Sequence, residues 1–128
     1  MEFALNVWEL EMLIYRKIKL MNYQKTLTRY DELVAQCDRF ERKGKSMPYT
    51  SSNGHMFSFI NKAGEFGIRF GKERQEELIK ELNSDYFHSH NAVMKGYVLI
   101  PEEVFMNDKT MISLLNESYE YVESLPSK

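Results

Sequence analysis

The chain has 128 residues, of which 43% are hydrophobic and 28% charged, and carries a net charge of −2 at pH 7. Such a length implies one domain with a real core, and the acidity argues against the broad basic face that supplies most non-specific nucleic-acid affinity. Eight Phe, eight Tyr and eight Met make the apolar part aromatic and soft, which suits a sheet packed under helices.

Phe3, Val7, Leu10, Leu13, Ile14 and Ile18 give residues Met1 to Leu20 a helical apolar stripe. Glu2, Glu9 and Glu11 argue against a secretory leader. The segment is expected to be a helical extension, an appendage to a domain that begins at Met21; the alternative is a helix whose stripe docks on a partner or on the protein's own sheet. No apolar run reaches the roughly 18–20 residues of a membrane span, so no membrane partner is expected. Tyr23, Leu27, Tyr30, Leu33, Val34, Cys37 and Phe40 then recur at three- and four-residue steps, predicting a helix over Asn22 to Arg42 with Asn22 as its cap and Gly44 as its terminator. Cys37 lies on that stripe as a small buried hydrophobe. A lone cysteine forms no intramolecular disulfide, which makes a reducing cytoplasm the expected location.

Met47 to Phe70 reads as a β-meander. Alternation places Met56, Ser58 and Ile60 on one face of a strand and His55, Phe57 and Phe59 on the other. Asn61 to Gly64 supplies a turn, and Phe66, Ile68 and Phe70 point inward on the return strand. Ser51-Ser52-Asn53-Gly54 is a second turn signal, so Lys45 to Thr50 is an edge strand that tolerates Pro48. Lys72 to Leu82 reads as a short helix, Asn83 to Asn91 as a polar loop, and Ala92 to Ile100 as one strand or two short ones bent at Gly96. Pro101-Glu102-Glu103 resembles a first helical turn. The last helix, Lys109 to Ser124, has Asp108 as its cap and an apolar face of Met111, Ile112, Leu114, Leu115, Tyr119 and Val122. The expected fold is an α+β two-layer sandwich: an antiparallel sheet of about five strands with helices on one face, in the order α-β3-α-β2-α, forming a single domain over 21–128 after the extension 1–20.

Chemistry is sparse in this pattern. His88 and His90, with His55 elsewhere, hint at a metal but lack a thiolate pair or an HExxH helix. Ser51 and Ser52 are turn residues without a nucleophile elbow, and the glycines form no phosphate-binding loop. No catalytic residue, cofactor or metal site is therefore assigned. Lys43, Lys45, Arg69, Lys72, Arg74 and Lys95 can gather near the sheet edge and the second helix; of these Arg69, Lys72, Arg74 and Lys95 are the candidate partner or nucleic-acid surface.

The turn before HMFSFI, the return strand GIRF at Gly67 to Phe70, GYVLIPEEV at Gly96 to Val104, and the acidic last helix NDKTMISLLNESYEY resemble the TfoX N-terminal domain family. The family's usual Met-Phe-Gly-Gly turn is replaced here by Tyr49-Thr-Ser-Ser-Asn-Gly54. The resemblance covers Lys43 to about Ser124. It implies the element order already read, a bacterial setting in the regulation of natural competence, and no catalytic residues. The expectation is a small non-enzymatic regulatory or protein-interaction domain; the alternative is a nucleic-acid accessory protein linked to competence or transcription regulation.

Overall fold

The computed structural model describes residues 6–128. Its elements in chain order are α1 (Val7–Ala35), β1 (Tyr49–Ser52), β2 (His55–Ile60), β3 (Phe66–Arg69), α2 (Lys72–Glu81), β4 (Tyr86–Ser89), β5 (Ala92–Leu99), α3 (Glu102–Phe105) and α4 (Asp108–Glu123). The five strands form one antiparallel sheet in the order β1-β2-β3-β5-β4, as the α+β reading requires.

One helix stands where the sequence predicts two segments. Asn6 caps α1, its Oδ1 accepting from Glu9 N at 2.8 Å, and the helix runs through Met21 and Asn22 without a break. Asn22 therefore does not cap anything: its carbonyl accepts from Thr26 Oγ1 within the helix. The predicted end moves too. Gln36 N and Cys37 N turn back to Leu33 and Val34 carbonyls, and Lys43, ahead of the predicted terminator Gly44, is instead extended and paired with Tyr49, N–H to O in both directions at 2.7 and 3.0 Å. Cys37 and Phe40 thus reach the core from a loop rather than from the helix. Phe40 meets Phe57 edge-on with ring centroids 5.0 Å apart and stacks on Tyr119. The expected stripe position Phe3 lies outside the described residues.

The first hairpin closes at Asn53-Gly54, both with positive φ of 54° and 79°, a pairing suited to a two-residue turn; Ser51 and Ser52 belong to β1. Between Thr50 and Ser51 the β1–β2 register shifts, leaving Phe57 as the extra residue of a bulge. The bulge corrects the simple alternation. Phe57 turns to the helix-covered side with Ser58 and Ile60, while Met56 packs with Phe59 on the opposite side. Ser118 Oγ on α4 donates to the Phe57 carbonyl and to that of Arg69, so the backbone loosened by the bulge keeps a partner.

The expected polar loop contains β4. His90 and Asn91, both with positive φ, form its hairpin turn into β5, and Tyr86 pairs with Val98 across a wide irregularity in which β5 carries the surplus residues. Gly96 sits there at φ +85° within a single strand and does not divide it in two, and the buried Gln75 of α2 donates to the adjacent Tyr97 carbonyl at 3.0 Å. Asn107, not Asp108, caps α4, accepting from Thr110 N at 3.0 Å.

All of the core that holds the layers together lies between the sheet and the helices. Tyr30 and Leu33 of α1, Leu78 of α2, and Met111, Leu114, Leu115 and Val122 of α4 pack on Phe57, Ile60, Phe66, Ile68, Phe70, Val98 and Ile100. On the other face a smaller cluster of Phe59, Phe87 and Tyr97 is rimmed by Tyr49, Met56, Met94 and Leu99. Gly67 makes it possible: a Cβ at that position would lie 2.6 Å from the Phe87 ring.

Candidate interaction surface

The nominated basic residues meet different fates. Arg74 leaves α2 to grip Glu117 of α4 bidentately, Nε to Oε2 at 2.8 Å and Nη2 to Oε1 at 3.2 Å, and its Nη1 lies near Glu77 and Glu81. Its charge is consumed in joining two helices, and the Glu117 hydrogen bond holds the guanidinium's pKa up. Arg69 ends β3 opposite Tyr97, its guanidinium carbon 5.9 Å from the Tyr121 ring centre. Lys72 opens α2 and Lys95 lies on β5 next to Gly96, so the β3–β5 pairing brings Arg69, Lys72 and Lys95 to one end of the sheet. Glu73, Glu76 and Glu77 of α2 line the same surface hollow as Lys72, which makes the surface mixed in charge. Lys43 reaches Ser51 on the β1 edge, away from this group.

The histidines are dispersed. His55 Nε2 contacts the Pro126 carbonyl at 2.8 Å, while His88 and His90 lie on and after β4. Among the described residues no three His, Cys, Asp or Glu side chains gather in a metal-holding cluster. Tyr30, Ser58 and Thr50 form a chain of hydroxyls, each fully buried, and burial raises the Tyr30 phenol pKa far above its usual value. Burial likewise raises the Cys37 thiol pKa, opposite to what a thiolate nucleophile needs.

A cleft of about 930 Å³ lies between α1, the β2–β3 turn and α3. Two of its polar side chains are engaged within the fold: Thr26 Oγ1 donates to the Gly64 carbonyl at 2.8 Å, and Arg29 donates to the Phe105 carbonyl and pairs with Asp108. These contacts fasten α1 to the sheet, with Gly64 so close to the Tyr23 backbone that a Cβ would lie 2.9 Å from its nitrogen.

Ahead of that fastening, α1 projects. Of the twelve large apolar side chains exposed among the described residues, eight lie between Val7 and Met21, far more than the scattered exposure ordinary for a surface. Val7, Leu10, Leu13, Ile14, Ile18 and Met21 each leave about half or more of their surface open. Eighteen residues make about five turns, so these positions continue along one line into Lys25, Thr28, Asp31 and Glu32, all exposed. The core-packing residues Tyr30, Leu33 and Val34 lie on the other side. At about 100° per residue, α1 thus carries two apolar stripes roughly opposite one another. The sequence showed both stripes; what it did not show is that one uninterrupted helix holds them in opposed phase.

No helix among the described residues is long and apolar enough to cross a membrane. No family model, curated protein or solved structure matches this chain.

Proposed function

We propose that the protein is a small non-enzymatic regulatory or protein-interaction domain, in keeping with its resemblance to TfoX N-terminal domains, and that the projecting half of α1 is its contact surface. The observation that supports this is the concentration of exposed aliphatic side chains on Val7 to Met21, turned away from the core. An amphipathic helix gains by laying such a stripe against another protein. The alternative, a nucleic-acid accessory role, draws less support from a basic group interleaved with three α2 glutamates and from an Arg74 already paired.

Capture with a tagged full-length chain, in cells that also express an untagged copy, tests the reading at physiological salt. The expected result is a stoichiometric protein partner, lost when Leu10→Glu and Ile18→Glu are introduced into a chain that stays folded by circular dichroism. Equal recovery by both chains would sink the assignment of the surface. Salt-sensitive retention of DNA or RNA, weakened by neutralising Arg69, Lys72 and Lys95, would shift the conclusion to the alternative.

A further inference from the structure

We infer that the occupant of the α1 stripe is the same stripe of a second copy, laid antiparallel about a two-fold axis at Ile14; this rests on the reading of the projecting helix as a contact surface. The spacing of the stripe is palindromic. Val7, Leu10, Ile14, Ile18 and Met21 are separated by three, four, four and three residues, so reversing the helix about residue 14 superimposes the pattern on itself. Val7 then meets Met21 of the other copy, Leu10 meets Ile18, and Ile14 meets Ile14. A two-fold interface demands such self-complementarity.

Charge follows the same reversal. Glu9 and Glu11 precede the centre, and Arg16 and Lys17 follow it. In the antiparallel arrangement Glu11 stands at the height of Lys17 of the other copy. Glu11 and Lys17 lie about 60° to either side of the stripe's centre, so these levelled charges stand on opposite flanks of the seam and the orientation is decided by cross-linking. The mixed sign also separates this helix from surface-lying membrane helices, whose polar faces are rich in Lys and Arg.

Size and direction are consistent with such a pair. The stripe exposes an area on the order of 500 Å² per copy, in the range of the largest, often functional, apolar patch on a monomer. That is somewhat below the roughly 800 Å² per partner of a standard interface, so the dimer is concentration-dependent. Because the core-facing stripe lies on the opposite side of α1, the two folded domains stay clear of the seam.

Sedimentation of the purified full-length chain, followed over a roughly hundredfold dilution series, reports the assembly. A reversible dimer is expected, and Ile14→Glu, at a half-exposed position, should raise its dissociation constant about tenfold or more by opposing two carboxylates across the axis. Orientation is read from single cysteines in a Cys37→Ser background. Ile14→Cys should cross-link under mild oxidation, Val7→Cys alone should not, and Val7→Cys mixed with Met21→Cys should. A monomer at every concentration, a dimer indifferent to Ile14→Glu, or efficient cross-linking of Val7→Cys to itself would each overturn the proposal. If the chain is monomeric, stripe-dependent capture of a different protein leaves the contact-surface reading standing and replaces the occupant. Stripe-dependent binding to anionic phosphatidylserine vesicles would assign the stripe to a lipid surface and overturn both.

Discussion

Ser58 holds the middle of the buried hydroxyl chain, between Tyr30 and Thr50. Position in the chain decides the cost of deletion. Tyr30→Phe or Thr50→Val removes an end and leaves the remaining pair bonded, which should cost about 1–1.5 kcal/mol. Ser58→Ala strands two buried hydroxyls at once and should cost about 2–4 kcal/mol, although each of the three variants takes away a single hydroxyl. Denaturant midpoints of the three variants check that order. A second residue-scale effect concerns Asp108, whose carboxyl pKa is lowered first by its bond from Arg29 and then by Gln36. A depressed folded-state pKa contributes stability above the ordinary carboxylate range and loses it as pH falls through the folded value. Asp108→Asn should therefore be less stable than the wild type at neutral pH, with the gap closing as the solution is acidified below about pH 4. A gap that persists at low pH would assign Asp108 a role unrelated to its charge.

Among the elements, Phe87 of β4 reaches across β5 to lie over β3 because Gly67 offers no side chain there. Gly67→Ala should destabilise the fold by about 1–3 kcal/mol through overpacking, and Phe87→Leu in the same chain should recover part of that loss. A double variant that is merely additive would show that the two positions do not share the contact. These elements also mark what was legible in the sequence. Helical periodicity in Tyr23 to Val34 and in Met111 to Val122, and the turn residues Asn53-Gly54 and Gly64, are local signals, and the structure follows them. The Phe57 bulge is different, since an extra residue is defined only against the register of β1. Tyr86 to Ser89 likewise looks polar because only Phe87 on that strand is buried. The helix onset went wrong because an Asn is a permitted cap rather than an obligatory one, and Asn6 was equally suitable. The nominated cations were legible as residues, but the glutamates that meet Arg74 come from α4 as well as from its own helix, a pairing that only the tertiary fold creates.

For the molecule as a whole, the fold is fastened at both ends of its helical layer. The tail after α4 is held by the first hairpin: Asn53 Nδ2 donates to the Val122 and Leu125 carbonyls at 3.0 and 2.8 Å, and Ser52 reaches Glu123. α1 is held from Tyr23 onward, so a chain beginning at Met21 keeps every contact to the sheet named above. At low protein concentration its denaturant midpoint should match that of the full chain within about 0.5 kcal/mol, the usual range for surface changes. At higher concentration the full chain alone should gain stability, since association linked to the folded state adds to it by mass action. A large loss in the dilute regime would mean that the projecting turns support the core directly. The unbroken passage of α1 through Met21 and Asn22 has a further consequence. A helix transmits angle as well as distance, and each residue added or removed between the two stripes would turn one against the other by about 100°. The segment joining them is thus a spacer with a fixed phase, in which length is constrained even where side-chain identity is not.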